Sequence, residues 1–255
     1  GLPERKLCTP RDVRRCLSRV RRLTADLPAF DSIWLDALVQ ARVLTAWQSR
    51  FIESGDFDQL TIGPCIVLDR IGHGVINETF LTKLNSDDSR CIVKRIVVPA
   101  ELASDTLAAL KRLIERGRAV TEPHLVVPHA VSELDPETNR RRSVSAQNAS
   151  GLMSSFAVVS RVATGLPLSQ VVLRRGRLPG NVVMQIARQL LSALQLLHSR
   201  ELAHGEIALR NILLQPNGQT VLVDAGIEPA VMPAFQINAF VDPVRNDGVA
   251  PELIG

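Results

Sequence analysis

His204-Gly205-Glu206, Asn211, Asp224-Ala225-Gly226 and Ala250-Pro251-Glu252 are the points between residues 204 and 252 on which the reading of this chain turns. Two apolar runs, Ile212-Leu213-Leu214 and Val221-Leu222-Val223, flank Pro216-Asn217-Gly218 and predict a short hairpin. That hairpin sets Asn211 at the entrance of one strand and Asp224 at the exit of the other. An amide and a carboxylate of this kind are hard oxygen donors that suit Mg²⁺ shared with phosphates. Their ordinary uses, Asn as a turn cap and Asp before Gly as a turn former, also fit the spacing.

Upstream, Gly72-His73-Gly74 precedes a β-prone run, and Cys91-Ile92-Val93-Lys94 is an apolar strand that we expect to end in a cation. Taken in order, these pieces resemble the protein kinase family, whose motifs are a Gly-rich loop, V-A-I-K, H-R-D-L-x-x-x-N, D-F-G and A-P-E. The resemblance implies an α+β, two-lobed fold with an antiparallel sheet in the small lobe and a helical large lobe. It implies a serine/threonine kinase-like transferase domain that takes ATP and Mg²⁺. Gly72 and Gly74 would close a hairpin over the phosphates, and Lys94 would reach the α- and β-phosphates. Val159 falls at the gatekeeper position and Leu213 at the floor of the adenine site, while Asn211 and Asp224 would hold the metal.

Several letters that drive the chemistry have changed. Glu206 stands at the catalytic aspartate; it keeps a carboxylate but moves it by about an ångström, a displacement that can cost roughly 10²-fold. Gly205 replaces the arginine that reads a phosphorylated loop, and Ala208 the lysine beside the transferring phosphate. The pairing glutamate of the mobile helix falls on Leu113; Glu115, the nearest acid, is turned by roughly 200°. Ala225 replaces the Phe of D-F-G, and Gly117 is small where a side chain should stack beneath it, so two holes are expected in that packed column. Asn77 stands for the third glycine, Glu78 adds a negative charge beside it, and Ile92 and Thr79 narrow and polarise the adenine site.

At 255 residues, 45% hydrophobic and 22% charged, the chain can bury a real core. No run approaches the roughly 18 apolar residues of a membrane helix and none at the start resembles a secretory signal, so a cytoplasmic location is the expectation. Cys8, Cys16, Cys65 and Cys91 form no metal-binding spacing and are expected to be reduced and structural. Starting at Gly1 and stopping just after Ala250-Pro251-Glu252, the sequence reads as a fragment.

Thr9-Pro10-Arg11-Asp12 reads as a helix start, after which Val13, Leu17, Val20, Leu23 and Leu27 recur at helical spacing and leave the arginines on the other side. This basic amphipathic helix is either a contact for anionic lipid, nucleic acid or an acidic partner, or an ordinary solvated face whose apolar stripe packs on the next helices. Asp31 can cap a second helix through Leu38, and Thr45 a third ending at Gly55. Leu44-Thr45-Ala46-Trp47-Gln48 with Gly55 and Ile62-Gly63 resembles the prefix of planctomycete-type bacterial serine/threonine kinases. Strands are expected at 66–68, 79–81, 91–93 and 156–159, a helix near 104–120, and a strong helix near 181–198 with Val183, Ile186, Leu190, Leu194 and Leu197 in the core. Residues 139–151 read as a flexible loop in which Arg140-Arg141-Arg142-Ser143 resembles a target of basophilic kinases.

The domains read as 1–60, a helical N-terminal prefix; 61–162, a small lobe; and 163–255, a truncated large lobe ending at the Ala-Pro-Glu motif. The leading expectation is a pseudokinase acting as an ATP- and Mg²⁺-responsive binding or allosteric module with protein partners. The alternatives are a weak kinase using Glu206 as base, or an inert spacer. Nothing points to a specific nucleic acid.

Overall fold

Three helices come first in this computed structural model, which describes residues 7–24, 31–74, 76–118, 120, 122–135 and 152–237. They are α1 (Pro10–Leu23), α2 (Asp31–Gln40) and α3 (Ala46–Glu53). Thr9 and Asp12 form a capping box on α1, and Thr45 and Gln48 form another on α3, so backbone donors orphaned at each start are satisfied reciprocally. Cys16 and Val20 of α1 pack with Leu35, Ala37 and Leu38 of α2 in one buried cluster.

The third helix is stitched to the sheet that follows. The Thr45 hydroxyl donates to the Leu68 carbonyl at 2.6 Å, and the Gln48 amide donates to the Val67 carbonyl at 2.9 Å. Both acceptors lie where the strand register shifts between Val67 and Asp69. A bulge removes ladder partners, and the prefix supplies replacements.

The sheet has six antiparallel strands in the order β1 (Thr61–Ile62), β2 (Cys65–His73), β3 (Asn77–Leu84), β4 (Arg90–Pro99), β6 (Met153–Arg161), β5 (Ala130–Leu134). Helix α4 (Ala103–Gly117) covers one face, where Ile96, Val98, Phe156 and Val158 meet Leu110 and Leu113. The prefix covers the other, where Val67, Phe80, Val93 and Ala157 pack with Trp47. Central β4 is therefore buried on both faces and runs on to Pro99, so Lys94 is a mid-strand residue, 7% exposed, and not the strand-end lysine expected.

A three-stranded sheet, β7 (Leu166–Pro167), β8 (Ile212–Leu214) and β9 (Thr220–Leu222), lies with helices α5 (Leu168–Arg175), α6 (Gly180–Ser199) and α7 (Ile227–Ile237) in the second lobe. Val126 and His124 exchange backbone bonds with Leu222, and one apolar cluster runs from Phe156 and Leu110 through to Leu197 and Ile212. In α6, Ile186, Ala193 and Leu197 are buried and Leu190 and Leu194 half-buried, but Val183 is 47% exposed. It lies in the first turn, at the margin of the buried arc, and is corrected from core to surface.

Leu27, the Ser143 motif and Ala250-Pro251-Glu252 lie outside the described residues. Cys8, Cys16, Cys65 and Cys91 are free and buried, as expected. Among the described residues, no helix is long and apolar enough to cross a membrane.

Candidate functional site

The β8–β9 hairpin places the first pair of side chains. Asn211 enters β8 from a single 3-10 turn, is 6% exposed, and donates from Nδ2 to the Glu206 carbonyl at 2.9 Å. The Val223 amide donates to the Asn211 carbonyl at 2.9 Å, so the hairpin's two ends are tied and Asp224 leaves beside Asn211. Asp224 has φ +65°, a left-handed conformation that Asp tolerates better than most residues and that recurs at functional sites.

His204 joins this loop to the next. The Glu206 amide donates to its Nδ1 at 3.2 Å, which leaves Nε2–H to donate to the Val223 carbonyl at 2.9 Å. The ring is 2% exposed, and burial holds its pKa below the ordinary 6.5. Gly226 donates from its backbone to the His204 carbonyl at 3.0 Å, completing a woven set of three loops.

From the other lobe, Lys94 Nζ reaches Asp224 Oδ2 at 2.5 Å, with both side chains largely buried. Helix α4 offers the lysine no carboxylate: Leu113 is 4% exposed, and Glu115 points to solvent as expected. A Cβ added at Gly226 would overlap Leu113, so that leucine lies directly on the Asp-Ala-Gly segment. Ala225 is fully buried. At Gly117 the added Cβ would overlap Val127, so the hole expected there is corrected: a neighbouring apolar side chain fills it.

Strand register puts Gly72 opposite Thr79, Thr79 opposite Lys94, and Lys94 opposite Val158, one row on the lysine's face. Val159 lies on the other face, packed with the cluster around Val93 and Trp47; Val158 and Ser160 share the lysine's face. Strand parity makes this difference, because one residue of slip reverses the side. Leu213 Cβ comes within 3.1 Å of where a Gly165 Cβ would sit, just past the end of β6, so a glycine is required for that approach.

The turn after Gly74 is closed by the Gly74 amide on the Asn77 carbonyl at 2.7 Å, and the Asn77 side chain lies against Gly74, its Oδ1 3.1 Å from an added Cβ. Ile76 at the tip is 4% exposed and belongs to the cluster that holds Ile96, Leu110 and Leu113. Glu78 corrects the expected added charge. Its carboxylate faces the prefix side, paired with buried Arg95 and with Arg70 at 3.2 Å.

Glu206 is paired with Arg210, four residues later in sequence. Burial pushes its carboxyl up, but the Arg210 guanidinium, Lys94 and Asn211 more than offset this, and the net direction is downward. Arg210 escaped the sequence reading; its signal was the opposite charge four residues after Glu206 and one before Asn211. Gly205 has φ +86°, and a Cβ there would overlap Pro229 of α7. The site thus gathers Lys94, Asp224, Asn211 and Glu206.

Two oxygen-donor side chains, Asn211 and Asp224, fit a Mg²⁺ whose remaining ligands are substrate phosphates and water. Among the described residues there is no group of three His, Cys, Asp or Glu placed to hold a metal alone.

A family described as protein tyrosine and serine/threonine kinase matches residues 67–253. The CBL-interacting serine/threonine-protein kinase 7 of Arabidopsis thaliana is 29% identical over 136 residues, covering 52% of this chain and 31% of that one. Serine/threonine-protein kinase PknA of Mycobacterium tuberculosis is 36% identical over 74 residues, covering 29% of this chain and 17% of that one. The chain thus spans less than a third of either relative. The solved PknI kinase domain of M. tuberculosis superimposes with a TM-score of 0.51 at 20% identity, over 67% of this chain and 61% of that one.

Proposed function

The chain belongs to the protein tyrosine and serine/threonine kinase family, and from that premise we propose a pseudokinase: a nucleotide- and Mg²⁺-responsive binding module with little or no phosphoryl transfer. The observation that carries this reading is the 2.5 Å Lys94–Asp224 pair formed while Leu113 fills the position of the helix carboxylate. A cation meant for phosphates and a carboxylate meant for a metal neutralise each other. Nothing on α4 competes for the lysine through charge. The apolar joint of Leu113 with Gly226 replaces a switchable ion pair with packing that does not respond to charge.

When bound, Mg²⁺ would neutralise phosphate charge beside Asn211 and Asp224. Lys94 would leave Asp224 for the α- and β-phosphates, and the exchange would open the hairpin tip above. The ligand is thereby read as a change of shape, which suits a module that signals to protein partners.

The test is calorimetric titration with ATP, with and without Mg²⁺, beside a peptide phosphorylation assay. Binding should require Mg²⁺, and Asp224→Ala should abolish that requirement. Phosphoryl transfer should fall at least ~10³-fold below the roughly 1–100 s⁻¹ of ordinary kinases. Metal-independent binding unchanged by Asp224→Ala would remove the nucleotide site.

A second reading, a weak kinase with Glu206 as base, is favoured by one observation: Arg210 keeps that carboxylate ionised and brings a cation to the loop that lacks one at Ala208. Turnover of several per second, lost on Glu206→Gln, would establish it in place of the pseudokinase.

A further inference from the structure

Helix α1 carries six arginines, and at about 100° per residue they occupy a single arc of about 160°. Arg11, Arg14, Arg15, Arg19, Arg21 and Arg22 are all exposed, and the only other residue on the arc is Ser18. The opposite side is committed to the fold, with Cys16 and Val20 at 2% and 3% exposure and the Cys16 thiol 3.7 Å from the Ala37 carbonyl. Asp12, the helix's one acid, is held in the cap by the Thr9 amide at 2.9 Å and lies 3.8 Å from Arg15. The arc is thus a cationic face roughly 20 Å long, with no apolar side chain on it.

That chemistry selects among anionic occupants. A protein interface sets its arginine hot spots among aromatic or apolar side chains in a desolvated centre, and this face has no such side chain. A duplex major groove takes a projecting helix, whereas half of this helix is packed on α2. A helix that inserts into lipid uses its apolar side, which here is turned inward. What remains is a broad surface of phosphates, which guanidinium forks engage two oxygens at a time. We propose that α1 is a docking face for an anionic phospholipid bilayer, held at the headgroups by arginine–phosphate contacts without insertion. Thr45 and Gln48 bind the prefix to β2, so a docked α1 would hold the small lobe at a fixed attitude to the membrane.

The test uses the full chain with vesicles of phosphatidylcholine alone and of phosphatidylcholine mixed with phosphatidylserine. Flotation should recover the protein only with the mixed vesicles, and high salt should release it. Replacing Arg11, Arg14, Arg15 and Arg19 together with Gln should weaken binding at least ~10-fold, while Gln at Arg174, Arg175 and Arg177, an exposed basic set near the end of α5, should leave it unchanged. Circular dichroism of each variant reports whether the helices persist. Failure to float with the mixed vesicles, equal loss in both variants, or retention in high salt would each overturn the proposal. So would tighter binding, per phosphate at equal salt, to duplex DNA.

Discussion

Ile76 is one side chain at the tip of a turn, yet it ties the glycine hairpin to α4 and to the Asp-Ala-Gly segment through a shared apolar cluster. Burying an isoleucine is worth a few kcal/mol, so Ile76→Ala should destabilise the chain by about 2–5 kcal/mol. The same change should raise affinity for Mg²⁺-ATP, because the tip no longer has to leave the core. Denaturant midpoints and calorimetry check the two halves; lower stability with unchanged or weaker binding would mean that the tip is no barrier. The sequence could not announce this residue, since its burial depends on β3 pairing with β4, where the Val97 amide donates to the Ile76 carbonyl at 2.8 Å. Asn211 and Asp224 were legible because a short hairpin fixes them locally. Lys94 was legible as a residue but not as a buried one, since β4 is covered on both faces. Val159 was set on the wrong face for a side chain meant to meet Lys94, because strand parity is decided by the partner strand.

At the scale of elements, α3 and β2 behave as one piece. Trp47 packs at 6.2 Å from the Phe80 ring, Arg70 lies 5.5 Å over Trp47, and Arg70 also reaches Glu78 at 3.2 Å. Gln48→Ala would leave the buried Val67 carbonyl without its donor, costing about 1–3 kcal/mol. The expected result is a lower denaturant midpoint at an unchanged slope; a second transition would instead show the prefix melting separately. The Thr9 and Thr45 caps made α1 and α3 readable; α3 ends two residues before the expected Gly55, and α1 ends at Leu23, four residues before Leu27, the last position of its apolar period. Strand β5 could be given no bounds, although the 139–151 loop was expected to join two strands, because Ser132 and Glu133 interrupt its pattern and its pairing with β6 is long-range. Helix α7 was missed because Pro229 and Pro233 both read as breakers; Pro229 stands in the first turn, where no intrahelical donor is lost, but Pro233 lies inside the helix.

Across the whole molecule, acid should act in one direction. Burial keeps the folded pKa of His204 below 6.5, so the unfolded chain takes up that proton first as pH falls. Glu206 has a folded pKa below 4.5, and the stability it contributes is present above that value and lost as pH falls through the depressed one. Stability should therefore hold near neutrality, begin to drop below about pH 6.5 and continue to fall into the Glu206 range. Urea midpoints across this range test it, with His204→Gln removing the upper part of the slope; a flat profile down to the carboxylate range would contradict the buried neutral ring. Gly205 and Pro229 are coupled across the two loops. Because the proline fills the space that any side chain at 205 would need, Gly205→Arg by itself should fold poorly. A cation can be introduced at that position only together with a change in α7 that clears the space, so the two sites can be redesigned only as a pair.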